Sequence, residues 1–150
     1  MSNVRRLTLN KSTIAGNSTQ LVFCRENVDP NVVTRLLELT PTESLQVGDS
    51  ARYSNGHPYK SRVGLWKLDL PNADPDQCVE EQVAKWLDLL QPRAVAFRAL
   101  KELDYHCYLD CKAASGSLSL CIEPELLSQL GMLRISLSVW LYEQESAQDA

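Results

Sequence analysis

The stretch that decides the fold is residues 78–103, CVEEQVAKWLDLLQPRAVAFRALKEL, which carries the strongest helical pattern in the chain. Its apolar residues recur every three or four positions, as on one side of a 3.6-residue helix, and charged residues occupy the other side. Pro92 has no backbone N–H and clashes with the carbonyl four residues back, so we expect the helix to stop and restart there. The stretch therefore predicts two amphipathic helices that share one apolar partner surface.

Segments that alternate between apolar and polar residues can supply that surface, because alternation with a period of two is typical of strands. The predicted strands are residues 20–28, 45–49, 63–70, 105–112, 117–122 and 133–142. Two shorter helices are expected after Asp29-Pro30 and over residues 124–130, the second closed by Gly131, and a glycine-containing turn joins residues 105–112 and 117–122 as a hairpin. We predict an α+β fold, an antiparallel or mixed sheet of about five to six strands with helices packed on one face and ferredoxin-like elements.

Length and composition bound the domain organisation. A chain of 150 residues with 44% hydrophobic residues suits a single domain over residues 1–150 that buries a sizeable core. Residues 1–19 are expected to form an N-terminal arm that is partly disordered or adds a short edge strand, and residues 143–150 a frayed tail.

Charge and hydropathy exclude two classes of partner. The net charge of −4 argues against nucleic-acid binding, which normally leaves a basic surface. No apolar run approaches the ~18 residues of a membrane span, and no apolar stretch follows Arg5 and Arg6 as in an export signal. With five cysteines and no export signal, we expect reduced thiols and a cytoplasmic location.

The residues that could carry chemistry do not form a recognisable catalytic or metal site. Cys107 and Cys111 lie four positions apart on a predicted strand, about 13 Å, which is too far for one ion to bridge. His106 and Cys107 are adjacent on that strand, so their side chains should point to opposite faces. We therefore assign no catalytic residue, no metal ligand and no cofactor.

One polar loop gathers side chains that stack, donate hydrogen bonds and titrate. Residues 50–62 have no apolar period and form a loop longer than most compact domains need. Two readings remain open for this loop: a solvated loop or long hairpin, and a recognition surface. An acidic connection near residues 69–81 and the outward face of the last strand are further candidates. The predicted partner-binding residues are Arg52, Tyr53, His57, Tyr59, Asp74, Asp76, Trp140 and Tyr142.

Several landmarks together resemble domain-of-unknown-function family 4279, a set of small, mainly bacterial proteins. The match spans roughly residues 20 to 142, and its specificity lies in the order and spacing of landmarks that are individually weak. They are Asp29-Pro30, LLELTPT at 36–42, Gly48-Asp49, GLWKL at 64–68, WLDLL at 86–90 and PELL at 124–127. The resemblance supports the fold and implies no catalytic residues.

These observations predict a non-enzymatic protein-interaction domain of undefined oligomeric state. By analogy with other small bacterial domains, the most specific expectation is an immunity or antitoxin-like protein that binds a cognate partner, such as a basic toxin. The alternative is a small-molecule-binding or enzymatic domain with its site between loop 50–62 and the sheet.

Overall fold

The computed structural model of the protein describes residues 16–114 and 120–142. The strands are β1 (Ser18–Arg25), β2 (Glu43–Leu45), β3 (Ser50–Arg52), β4 (Pro58–Lys60), β5 (Gly64–Asp69), β6 (Cys107–Ala114) and β7 (Ile135–Tyr142). The helices are α1 (Pro30–Leu37), α2 (Val79–Leu90), α3 (Ala94–Glu102) and α4 (Pro124–Met132). Ser18 and Thr19, expected in the N-terminal arm, belong to β1, whereas the rest of that arm before Gly16 and the tail 143–150 lie outside the described residues.

Five strands form one mixed sheet in the order β2-β5-β1-β6-β7, which confirms the predicted fold class. All neighbours are antiparallel except β6 and β7, which run parallel with α4 between them in the chain. The predicted hairpin of residues 105–112 with 117–122 is wrong, because β1 and β7 occupy the two sides of β6. Residues 120–122 lie outside any strand, and residues 117–119 are outside the described part of the chain.

The central helical stretch divides at Pro92, as predicted. α2 ends at Leu90, Pro92 lies in a single 3₁₀ turn, and α3 begins at Ala94. One side of α2 is buried against the sheet and the other carries exposed charged residues. The buried side consists of Val79, Gln82, Val83, Trp86, Leu87 and Leu90.

Trp66 lies at the centre of the core with none of its surface exposed. Its ring meets Phe23 edge-on at 5.8 Å between ring centroids, and its indole N–H donates to Thr34 Oγ1 of α1 at 3.0 Å. At the start of the same strand, a Cβ at Gly64 would overlap the carbonyl oxygen of Val28, so only glycine allows this close approach of the backbone. β5 is therefore packed tightly along its length.

The end of α4 differs from the prediction. Gly131 lies inside the helix rather than beyond its end, and the left-handed residue that terminates the helix is Arg134, with φ of 59°. The N–H of Arg134 donates to the carbonyl of Gly131 at 3.1 Å, which satisfies one of the last helical carbonyls.

None of the helices in the described ranges could cross a bilayer. The longest, α2, has 12 residues, against the roughly 20 that a span requires.

Candidate functional site

The surface richest in recognition side chains is a β-hairpin outside the main sheet. β3 and β4 pair antiparallel and form a two-stranded sheet of their own. The chain reverses through residues 54–56: the N–H of Gly56 donates to the carbonyl of Tyr53 at 2.9 Å, and Gly56 has φ of 86°. A tight turn followed by a left-handed glycine commonly closes a three-residue hairpin loop. Residues 50–62 thus form a hairpin, and their role in recognition stays a prediction.

Two tyrosines stack on one face of this hairpin. The rings of Tyr53 and Tyr59 lie 4.3 Å apart between centroids and 28° from parallel. Tyr59 lies opposite Ala51 and diagonally across from Tyr53, so both side chains leave the same face. Tyr53 is 40% exposed. The stack therefore presents preordered aromatic surface, which loses little side-chain entropy when a partner covers it.

The charge of the hairpin is positive. Arg52 Nη1 donates to the carbonyl of Gly56 at 3.0 Å, which holds the guanidinium beside the turn. Lys60 and Arg62 are exposed on the second strand and just beyond it, and the only acidic residue in positions 49–62 is Asp49. The hairpin therefore carries stacked aromatic rings on one face, whereas Arg52 and Lys60, which alternate with the tyrosines along the strands, leave the other face.

The acidic candidates lie on a different loop, residues 71–77, which joins β5 to α2. Both Asp74 and Asp76 are exposed, and Asp74 Oδ1 accepts a hydrogen bond from the N–H of Asp76 at 2.9 Å. The N–H of Asn17 donates to the carbonyl of Pro75 at 2.9 Å, so the loop is fastened to the start of β1.

A buried glutamine anchors this acidic loop to the core. Gln82 of α2 is fully buried, and its Nε2 lies 3.1, 3.2 and 3.4 Å from the carbonyl oxygens of Asn17, Gln77 and Asp74. Its Oε1 accepts from Thr19 Oγ1 at 2.9 Å, and that hydroxyl accepts from the indole N–H of Trp86 at 2.8 Å. Buried polar groups satisfied in this way hold one defined conformation.

Gln82 and Thr19 were missed as candidates, although a signal for Gln82 was present. Gln82 follows Val79 by three residues and precedes Trp86 by four, which places a polar residue in the apolar stripe of α2. A polar residue at such a position needs buried partners. No local pattern marks Thr19, because its importance comes from Gln82 and Trp86, which lie more than 60 positions away.

Trp140 and Tyr142 leave the face of β7 that lies opposite to the helices. Trp140 is 55% exposed and is paired with Lys112 of β6. The hydroxyl of Tyr142 donates to the carbonyl of Gly16. Gly16 in turn packs so closely on Pro75 that a Cβ would overlap the Pro75 carbonyl. Tyr142 is thereby linked to the acidic loop.

The structure separates the predicted partner-binding residues into two groups. Those at positions 52–59 precede β5, whereas those at positions 74–76 follow it. Tyr142 is linked to the second group, and Trp140 lies two residues before it on the same face of β7. β5 has six residues, so its two ends, from which the two groups extend, are roughly 17 Å apart along the strand direction. They do not form one compact site.

The larger described cavity lies between α3 and the end of α4, away from the position predicted for a small-molecule site. It is an open groove of about 560 Å³. Its charged lining residues are Arg98, Lys101, Glu102 and Arg134. Lys101 Nζ lies 3.0 Å from His106 Nδ1, whereas within the described ranges no residue pairs with the guanidinium groups of Arg98 and Arg134. The groove therefore has a positive rim.

All five cysteines are free thiols. Burial raises the pKa of Cys107 to about 12, although nearby Lys101 lowers it, and burial together with the charge of Asp110 raises the pKa of Cys111 to about 12. Both thiols are therefore protonated near neutral pH. His106 instead bonds Asp104 Oδ1 through Nε2 at 2.8 Å. Across residues 16–114 and 120–142, no group of three or more His, Cys, Asp or Glu side chains could hold a metal ion.

Comparison with known proteins identifies the family and nothing finer. The family model described as a domain of unknown function, DUF4279, matches residues 15–144, which is most of the chain. No curated protein and no solved structure matches. The matched range includes every described strand and helix, from β1 to β7. The chain therefore belongs to the DUF4279 family.

Proposed function

We propose that this chain is a non-enzymatic protein-interaction domain that binds a cognate protein through its β3–β4 hairpin. The observation that carries the proposal is the stacked pair of Tyr53 and Tyr59 on a hairpin outside the main sheet, with Arg52 fixed beside the turn. Tyrosine and arginine are enriched among the residues that dominate protein–protein affinity. The hairpin presents both kinds of side chain in a defined geometry.

The charge distribution constrains the partner. The net charge of −4 and the exposed carboxylates of Asp74 and Asp76 favour the approach of a protein with net positive charge. At the hairpin itself, the cations of Arg52, Lys60 and Arg62 favour a neutral or acidic patch on that protein. The acidic loop therefore attracts the partner as it approaches, and the hairpin contacts a different part of the partner surface.

The test begins with a partner captured on the immobilised chain and then purified. Replacing Tyr53 and Tyr59 with alanine should weaken binding of that partner by about 2 kcal/mol or more in titration calorimetry. The matched control is Val95→Ala, at an apolar side chain that is 73% exposed and belongs to α3 rather than to the hairpin. Equal affinity of the wild type, the tyrosine variant and the control would show that the interface lies elsewhere.

A second variant separates steering from anchoring. Asp74→Asn combined with Asp76→Asn should mainly slow association and flatten its dependence on salt, because exposed charges act on the rate of encounter. Association measured by biolayer interferometry at several ionic strengths tests this. A change confined to the dissociation rate would place these carboxylates in the contact itself.

The more specific proposal is that the protein is immunity or antitoxin-like, neutralising a toxin inside a bacterial cell. Analogy with small bacterial interaction domains supports this, and the five free thiols support a reducing compartment such as the cytoplasm. Expression of the captured partner alone should arrest growth, and co-expression of this chain should restore it. A partner that is harmless when expressed alone would leave the interaction but remove the immunity role.

A second candidate function is binding of a small anionic molecule in the α3–α4 groove. The supporting observation is the pair of guanidinium groups at Arg98 and Arg134 around a groove of about 560 Å³. Native mass spectrometry of the purified chain should then reveal a copurifying anion that Arg98→Gln abolishes. Persistence of the same species in Arg98→Gln would show that the anion binds elsewhere, and its loss in the control Val95→Ala would show that the effect is not specific to the guanidinium.

A further inference from the structure

The two edges of the main sheet are built differently. β2, at one edge, has three residues, and its Glu43 pairs with Lys67 Nζ at 2.9 Å. β7, at the other edge, has eight residues, ISLSVWLY, with no charge, proline or glycine, and it follows β6 in continuous register. In residues 16–114 and 120–142, β6 is the only strand that pairs with β7. Proteins usually protect an edge with a short strand, a charge, a proline or a bulge, and β7 has none of these.

The exposed apolar side chains of the sheet concentrate on this edge strand. Val139, Trp140 and Leu141 are 37%, 55% and 68% exposed. Val139 and Leu141 point to the helix-covered face, where their partners on β6, Cys111 and Ala113, are buried. The described helices therefore stop short of the second half of β7. Within residues 16–114 and 120–142, its exposed apolar side chains lie next to outer backbone groups that no strand pairs with.

We propose that β7 is a self-association edge, along which a second copy of this chain pairs antiparallel and joins two five-stranded sheets into one. The site is the outer edge of β7 with the side chains of Val139, Trp140 and Leu141. The two copies are related by a two-fold axis that passes through Val139.

The register follows from the direction of the side chains. A two-fold axis perpendicular to the sheet keeps the helices of both copies on one side, so opposed residues must point to the same face. Axes at Ser138 and Val139 both satisfy this rule and pair seven residues of each strand, whereas an axis at Trp140 pairs only residues 138–142. An axis at Ser138 would oppose the exposed Leu141 to the buried Ile135, whereas an axis at Val139 opposes exposed Val139 to itself. The resulting pairs are Val139 with Val139, Leu137 with Leu141, Ser138 with Trp140, and Ser136 with Tyr142.

These pairs explain why the occupant is a second copy rather than an unrelated strand. On the helix side, every exposed apolar residue meets another apolar residue. On the open face, each serine meets an aromatic ring. No charged group is buried by these pairs. The absence of charge from residues 135–142 means that two identical strands meet without repulsion. The edge is therefore complementary to itself.

The test is the mass of the full chain in solution as a function of concentration. Sedimentation velocity from about 1 to about 300 µM, the range in which small interfaces associate, should show the mass rising from 16.8 kDa toward about twice that value. Val139→Lys places two ammonium groups opposite each other on the axis and should weaken association at least about 100-fold. Leu141→Lys should also weaken it, and because Leu141 is mostly exposed, this variant keeps the test valid if Val139→Lys fails to fold.

The control is Val95→Lys, which introduces the same charge at an exposed apolar position on α3 and should leave the dimer intact. Hydrogen exchange should also show amides of residues 136–142 becoming slower at high concentration, while those of β2 do not change. A constant mass of 16.8 kDa at every concentration would overturn the proposal. So would a dimer that survives both lysine substitutions on β7, because it would use another surface.

Discussion

The two polar loops that flank β5 look alike in sequence but are held in different ways. Both the hairpin at residues 50–62 and the acidic loop at residues 71–77 are exposed and lack an apolar period. The hairpin is ordered by its own residues, through the turn at Gly56 and the tyrosine stack. The acidic loop is ordered by hydrogen bonds with residues outside it, Gln82 of α2 and Asn17 before β1. The order of a loop therefore depends on whether buried residues outside the loop form hydrogen bonds with it. The composition of the loop itself does not reveal this.

This difference has consequences for binding. The root of the hairpin is joined to the flanking chain by two backbone hydrogen bonds, from Gly48 to Ser61 at 2.7 Å and from Ser61 to Asp49 at 2.9 Å. Segments with few buried contacts open with a lower free energy than the global value. The hairpin can therefore shift as a unit relative to the sheet while its stacked rings stay ordered, whereas the acidic loop presents Asp74 and Asp76 at fixed positions.

The largest expected effect is on the free energy of unfolding, and it concerns Trp66 of β5, the strand that connects the two loops. Trp66→Ala removes a fully buried ring and its hydrogen bond to Thr34, and should lower the free energy of unfolding by about 3–5 kcal/mol. Denaturant unfolding followed by circular dichroism measures this. Val95→Ala, at a side chain that is 73% exposed on α3, serves as the control and should change stability by less than about 0.5 kcal/mol. Near-wild-type stability of Trp66→Ala would remove Trp66 from the core.

The next largest effect should destabilise the acidic loop and leave the hairpin unchanged. Gln82→Leu leaves the hydroxyl of Thr19 and the carbonyls of Asn17 and Gln77 without their buried partner, which should cost about 2–3 kcal/mol. Hydrogen exchange should accelerate in residues 71–77 and not in residues 50–62. Lys85→Leu, on the exposed side of the same helix, is the matched control. Equal acceleration in both loops would mean that Gln82 supports the whole fold rather than this loop.

The parts of the fold that depend on local patterns could be predicted, and those that depend on distant partners could not. The break at Pro92 follows from one residue's missing N–H and was predicted. The parallel pairing of β6 and β7 was not, because residues 107–114 alternate in the same way whichever strand lies beside them. For the candidate site, the residue types of the hairpin were visible, but the distance between Tyr59 and Asp74 depends on the direction of β5.

A smaller effect concerns the hairpin alone. Replacing Tyr53 and Tyr59 with alanine should lower global stability by about 1 kcal/mol or less, since a cross-strand aromatic pair contributes about that much. Amides of residues 50–62 should exchange faster, while residues 71–77 keep their protection. The control is Arg52→Gln, which retains both rings. A loss of several kcal/mol would show that the stack is part of the main core.

The smallest expected effect is the pH-dependent contribution of Glu80 to the stability of the fold. Glu80, at the start of α2 beyond the acidic loop, accepts a hydrogen bond from the N–H of Cys121 at 2.7 Å. Partial burial opposes its ionisation, but this bond, its own N–H and the thiol of Cys78 together hold the pKa of its carboxyl below the ordinary 4.5. A carboxyl whose pKa is lower when folded stabilises the fold above its unfolded pKa, and that contribution disappears as pH falls through the folded value.

Glu80→Gln keeps an acceptor for the Cys121 N–H but removes the charge, so it isolates this contribution. Because the carboxylate is only partly buried and solvent screens its charge, the variant should be less stable than the wild type by under about 0.5 kcal/mol at pH 7. The difference should vanish in acid, below the folded pKa of Glu80. Carboxyl carbon chemical shifts, assigned by loss of one signal in the variant, should give a titration midpoint below 4.5. A midpoint at or above that value would mean that the Glu80–Cys121 bond does not hold this end of α2 in solution.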